Sequence, residues 1–255
     1  MDLSGLYESI SAIPAAELNG WQSFFVKFYR AWFMNGRWTQ YFEGLLSTIE
    51  VTVIALAIGV ALGVIVAIVR TAYAQRRPGT HNPLLAVIDF IFKIYVTVIR
   101  GTPMMVQLLI MGFVVFSSSR NFTFVGALTL GINSGAYVSE IIRGGLMSLD
   151  PGQAEAGRSL GLGYIQTMRY IVIPQAFKAI LPSLGNEFIV LLKDTSLISV
   201  IGGKEVVYFA QAIVARTYEA MFPYIITAVM YLIMVMAFSY LQSILERRLR
   251  ASDRR

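Results

Sequence analysis

The sequence has no cysteine and one histidine, His81. Without cysteine there is no disulfide framework, zinc–thiolate site or thiolate-held iron–sulfur cluster. With one histidine there is no metal site built from several imidazoles. Charge is scarce as well: Asp, Glu, Lys and Arg make up 14% of the 255 residues, against roughly 25% in soluble domains. No phosphate loop of the form Gly-x4-Gly-Lys-Ser/Thr is found. The nearest candidate, Gly202-Gly203-Lys204, runs into Glu205 and lacks the upstream glycine spacing, so no nucleotide cofactor is expected in this chain. His81 lies in a polar loop with no evident partner, and no span carries clustered carboxylates, which disfavours an integral membrane enzyme. What is present is apolar. Hydrophobic residues make up 56% of the chain and aromatic residues 13%, which excludes disorder. The net charge of +6 comes from scattered basic residues rather than one patch, so no nucleic-acid partner is expected.

The apolar residues fall in long runs. Residues 51–69, 101–119 and 121–139 are each 19 residues without a charge, and 221–245 is 25. A membrane-crossing helix needs about 20 largely apolar residues. A further run at 170–192 is interrupted by Lys178 and Glu187 and reads as a span carrying polar groups inside a bundle. The reading is an all-α integral membrane protein of about five transmembrane helices: 44–69, 84–116, 122–146, 170–192 and 221–244. The second is too long for one straight crossing, and Pro103 predicts a break in it. Gly59 and Gly63, four apart in the first span, allow a neighbouring helix to approach closely. Residues 1–43 form a separate extension. Trp21, Phe24, Phe25, Phe28 and Trp32 recur there at helical spacing with Lys27, Arg30 and Arg37 between them, which predicts an amphipathic helix on the lipid bilayer surface. Residues 193–219 read as amphipathic. The basic tail, 249–255, reads as a surface anchor.

Basic residues orient the spans. With five crossings, the loop at 70–83, the region 143–178 and the tail share one side and hold 12 Lys or Arg, while the other side holds 7. The richer side is cytoplasmic, which places the N-terminus outside and the C-terminus inside. The longest polar stretch on the cytoplasmic side, 150–169, has internal punctuation. Asp150 is an N-cap, Pro151 suits the first helical position, and Gln153 completes a capping-box spacing. Gly161 provides a left-handed stop. A second short helix, 164–172, follows, and Pro174 predicts a sharp bend. The product is a compact two-helix projection, 150–174, below the transmembrane domain of 44–248.

That projection carries a recognisable pattern. Glu155-Ala156-Gly157, then Gly161, then Ile171-Val172-Ile173-Pro174 resembles the EAA loop of ATP-binding-cassette importer permeases: Glu-Ala-Ala, three residues, Gly, nine residues, Ile, any residue, Leu-Pro. Gly157 replaces the third Ala and Ile173 replaces Leu. The segment Arg100-Gly101-Thr102-Pro103-Met104-Met105-Val106-Gln107 is similar to one in the polar amino acid permeases of histidine, glutamine or arginine type. So are Gly135-Ala136-Tyr137-Val138-Ser139-Glu140-Ile141-Ile142-Arg143 and Leu192-Lys193-Asp194-Thr195-Ser196-Leu197. The resemblance implies a type I importer transmembrane fold in a bacterial inner (plasma) membrane. It implies a second permease subunit, identical or related, a separate ATPase that binds ATP and Mg, an extracellular solute-binding protein, and an amino acid substrate. It implies that Glu155, Ala156, Gly157, Ser159, Leu160, Gly161 and Pro174 form the ATPase-coupling loop. A secondary transporter or channel also accounts for the spans but leaves this projection unexplained.

Ionisable groups at membrane depth usually face a cavity or a partner. Glu140 can line a substrate pathway or pair with Arg143, three residues on. Arg100 can line the pathway, anchor an interface or satisfy carbonyls freed at the break. Gln107 and Glu187 are further pathway candidates, Glu187 alternatively as an interhelical hydrogen-bond partner. Lys193 and Asp194 are expected at the outer membrane edge as structural or interface residues.

Overall fold

The structure, a computed structural model, describes residues 2–14, 16–76 and 82–252. His81, its neighbours 77–80 and the tail residues 253–255 lie outside the described residues. Among the described residues all regular structure is helical.

Local signals set the helix boundaries. Helix α1 (Leu3–Ser11) is capped by Asp2, whose carboxylate accepts the Gly5 amide at 2.8 Å. Helix α2 (Gly20–Trp32) starts in a full capping box between Asn19 and Gln22. Asn35 and Gly36 then take left-handed backbone conformations, φ 55° and 66°, and the chain re-enters a helix as α3 (Arg37–Ala74). Helix α4 (Pro83–Gly101) opens on Asn82 and Pro83. It ends where Thr102 becomes extended before Pro103, and α5 (Met104–Ile110) starts afresh, running into a π turn at Met111–Val115. Proline has no amide hydrogen to continue α4, and it disfavours helical geometry in the residue before it. Asn121 caps α6 (Phe122–Met147).

Two short helices, α7 (Pro151–Ser159) and α8 (Tyr164–Thr167), lead through a π turn at Met168–Val172 into α9 (Ile173–Asp194). A 3₁₀ segment, Thr195–Ile201, precedes α10 (Val206–Thr217), and α11 (Met221–Ser252) closes the fold. Two local expectations change here. Asp150 caps α7 by accepting the Gly152 amide, but Gln153 does not complete the box and bonds Gln175 instead. Pro174 produces no sharp bend. It sits in the first turn of α9, where a missing amide is tolerated, and the widened π turn carries the chain into it. The amphipathic reading of 193–219 holds in α10, where Val206, Ala210 and Ile213 are buried on one face and Gln211, Ala215 and Arg216 are exposed.

By length and composition, Gly20–Ala74 and Met221–Leu249 are apolar enough to cross a membrane, and the bent pair Tyr164–Ile201 and Val206–Thr217 makes a third candidate among the described residues. Helix α6 carries polar groups because it is the central helix, with Thr129, Ser134 and Ser139 buried along it. Its main partner is α3, and the two run parallel. A side chain on Gly59 would meet Ser134, and one on Gly63 would meet Val138 Cγ1 at 2.6 Å. From the other side, Gly131 faces Ile58, and Gly135 faces Leu62 and the Tyr95 hydroxyl. Small residues on both helices therefore bring the backbones together, the usual source of affinity between helices in lipid.

The contact gives a test. Gly63→Leu is expected to lower the thermal midpoint of the purified protein, with a loss of about 3 kcal/mol, the upper end of overpacking costs. Gly144→Ala, on the same helix pair but with open space around the added methyl, is expected to raise stability by about 0.5–1 kcal/mol through helix propensity. Equal effects would show that the α3–α6 approach does not depend on glycine.

Candidate coupling loop and intramembrane charge cluster

The projection between α6 and α9 is a helical hairpin closed by Gly161, whose φ of 79° is the left-handed conformation that favours glycine. No atom crowds a Cβ at that position, so backbone conformation alone requires the residue. Gly157 is required for the opposite reason. It is buried, and an added Cβ would lie 2.7 Å from Thr167 Cγ2 and 3.0 Å from Ile171 Cδ1. The departure from Ala at this position is thus matched by Thr167 filling the space, a compensation that sequence reading missed. Glu155 and Arg158 form a loose, exposed pair at 3.9 Å, and the Ser159 hydroxyl donates to the Glu155 carbonyl. Ala156 and Pro174 are exposed.

The hairpin is braced on two sides. The Tyr164 hydroxyl donates to Gln75 Oε1 at 3.1 Å, tying it to the end of α3, and Gln175 Nε2 donates to Gln153 Oε1 at 2.9 Å, tying α7 to α9. A cavity of about 960 Å³ separates the hairpin from the ends of α3 and α6, with Arg143, Asp150 and Arg158 among its lining. Beside its exposed charged pair the hairpin presents large apolar side chains: Leu160 and Ile165 are each 78% exposed and Tyr164 is 67% exposed.

Within the bundle, three arginines from three helices converge on Glu140. Arg70 of α3 and Arg143 of α6 both donate to Oε1, at 2.6 and 2.9 Å, and Arg100 of α4 stands 4.0 Å from Oε2. The i,i+3 pair is therefore present, within a larger cluster. Arg70, the first residue of the predicted 70–83 loop, instead lies within α3. Three guanidiniums against one carboxylate leave an excess of two positive charges. Arg100 is the loosest held and the most exposed of the three, at 44%, and it lies over the Tyr137 ring at 5.3 Å. The carbonyls freed at the α4 break are satisfied by Gln107 rather than Arg100. Gln107 Nε2 donates to the Ile99 carbonyl at 2.8 Å and to Thr102, while its Oε1 accepts from Asn133 of α6. Glu187 is buried and accepts from Ser134 at 2.7 Å, joining α9 to α6. Asp194 lies seven residues along the same helix face, and exposed Lys193 lines a separate cavity of about 400 Å³ with Tyr231. The structure thus brings Arg100 and Glu140 together, and sets Gln107 and Glu187 against neighbouring turns of α6.

One buried acid went unread in the sequence. Glu205 is fully buried at the start of α10, where its carboxylate accepts the Val207 and Tyr208 amides and the Tyr231 hydroxyl. An acidic residue directly before an apolar helical run is an N-cap signal that could have found it.

Comparison with known proteins agrees with this arrangement. Residues 84–251 match the family described as binding-protein-dependent transport system inner membrane component. The chain is 37% identical over 210 residues to the putative glutamine transport system permease of Rickettsia bellii, covering 81% of this chain and 91% of that protein. It is 36% identical over 216 residues to the arginine transport system permease of Bacillus subtilis, covering 83% and 93%. A solved amino acid ABC transporter with histidines superposes with a TM-score of 0.73 at 42% identity, over 82% of this chain and 94% of that chain. An inward-facing methionine ABC transporter, 17% identical with a TM-score of 0.68 over 82% and 96%, shares the fold. The chain belongs to the inner membrane components of binding-protein-dependent transport systems: it is an ABC importer permease of the inner membrane, a translocation subunit rather than a catalytic one.

Proposed function

We propose that this permease carries polar amino acids, and that the hairpin at 151–172 is the handle by which a separate ATPase drives it. The observation that carries the reading is the combination of an apolar, exposed tip (Leu160, Tyr164, Ile165) with braces to α3 and α9. A surface docked into a partner transmits force only if it cannot swing on its own. Here α6 leads into the hairpin, α9 leaves it, and Gln75 holds it to α3, so a displacement of the tip reaches three long helices together. An importer permease works with an ATPase and a binding protein. In this reading ATP and Mg sit in that ATPase, two permease subunits pair, and five spans place the N-terminus outside, in keeping with the distribution of Lys and Arg.

The polar substrate class is supported by the relatives' glutamine and arginine transport and by the chemistry of the bundle. Glu140, Arg100, Gln107 and Glu187 form a pathway set around α6. Arg100 offers positive charge suited to a carboxylate, and buried Glu187 offers negative charge suited to an ammonium group. A purely apolar solute would gain nothing from either.

Two outcomes follow. Leu160→Asp is expected to abolish co-purification of the ATPase while leaving the thermal midpoint of the isolated permease unchanged, because the side chain is exposed. Retained ATPase would remove the hairpin as the docking element. Glu140→Gln leaves three guanidiniums without a counter-charge and is expected to cost about 1–3 kcal/mol, the penalty for removing one partner of a charged hydrogen bond. Adding Arg100→Gln should restore part of that loss in a double-mutant cycle. Strict additivity would separate Arg100 from the cluster.

A further inference from the structure

All three tryptophans of the chain, Trp21, Trp32 and Trp38, lie within eighteen residues of one another, in and just after the N-terminal helical pair and outside the family-matched residues 84–251. The pair is an ordered unit. Ile10, Phe25 and Val26 form its own small core, Tyr7 stacks on Tyr29 at 4.4 Å, and Arg30 donates to the Tyr7 hydroxyl. It is also riveted to the turn before α11. Lys27 pairs with Glu219 at 3.4 Å, and Phe24 and Phe28 pack edge-on against Phe222 at 5.0 and 6.1 Å. It therefore sits at the end of the bundle opposite the hairpin, which the Tyr164–Gln75 bond fixes at the far end of α3.

Its aromatic groups divide into two sets. Trp32 is half-buried and stacked on Tyr41. Trp21 is 65% exposed, Trp38 45%, and Phe24 and Phe42 are nearly half exposed. On α3, Trp38, Phe42 and Leu46 recur every four residues on one exposed face, and that face continues through Val53 to Val64 and Ile68. The stripe is aromatic at the outer end and aliphatic below. That gradient belongs to the boundary between headgroups and hydrocarbon, where tryptophan is enriched. A protein-docking patch has no reason to follow it.

We infer that residues 2–42 form a membrane-interface collar. Trp21 and Trp38 rest in the headgroup region of the outer leaflet, and through Phe222 and Glu219 they set the height of the outer ends of α3 and α11. The occupant of the exposed aromatic face is lipid, not the binding protein or a second permease copy. The inference does not depend on which solute is carried.

Because every tryptophan lies in or beside the collar, tryptophan emission excited beyond the tyrosine absorption band reports on it alone. Three single-tryptophan variants, with Phe at the other two positions, would be reconstituted in phosphatidylcholine vesicles brominated near either the headgroup end or the terminus of the acyl chains. The Trp21-only and Trp38-only variants are expected to lose about half their emission with shallow bromines and clearly less with deep ones, as an interfacial ring would. The Trp32-only variant should be quenched least. Equal quenching of all three, stronger quenching by deep bromines, or free quenching of the Trp21-only and Trp38-only variants by aqueous acrylamide without bromolipid quenching would overturn the collar. If a variant fails to assemble, the unsubstituted chain still decides: shallow bromines must quench it more than deep ones.

Discussion

The close parallel approach of α3 and α6 is the constraint on which the rest of the architecture depends. It is possible because Gly59, Gly63, Gly131 and Gly135 make room for side chains of the facing helix, Ser134, Val138, Ile58 and Leu62. In lipid, solvophobic exclusion does not drive apolar helices together, so packing at this distance and the hydrogen bonds it permits supply the attraction. With α6 held there, Arg70 of α3 reaches Glu140, Tyr95 of α4 reaches the Ile132 carbonyl, and Ser134 reaches Glu187 of α9. Each of these polar contacts is made in or beside the same seam. A wider separation would take Arg70 away from Glu140 and the Ser134 hydroxyl away from buried Glu187, and membrane interiors tolerate unpaired ionisable groups poorly.

The polar seam has a counterpart at the hairpin end of the bundle. The ends of α3, α6 and α9 meet the hairpin, and Tyr164–Gln75 and Gln153–Gln175 keep it from moving independently. Glycine serves two different physical roles within five residues of it. Gly161 supplies a backbone conformation, and Gly157 supplies room for Thr167. The same residue type in one short motif is thus explained once by dihedral freedom and once by packing.

Much of this was legible beforehand. Long uncharged runs, the helix break before Pro103, the cap at Asp150 and the turn at Gly161 are local properties, and local sequence carries them. The hairpin was readable because its punctuation and spacing are short-range. The i,i+3 pairing of Glu140 with Arg143 was readable for the same reason. Arg70 and Arg100 as the other members of that cluster were not, since 70 and 40 residues of chain separate them from Glu140. The amphipathic pattern of 193–219 was readable, but the surface that covers its apolar face was not. Gly44 lets the start of α10 sit directly on α3.

Composition and periodicity by themselves determined that this chain is a helical membrane protein with a capped hairpin between two apolar helices, because hydropathy, caps and glycine turns act over a few residues. Only tertiary structure decided which polar groups meet. It gave Gln107 rather than Arg100 the freed carbonyls, gave Glu140 three arginines rather than one, and gave Gly157 its reason in Thr167. Those choices depend on where whole helices lie relative to one another, and that placement comes from the fit of opposing surfaces, which no single segment encodes.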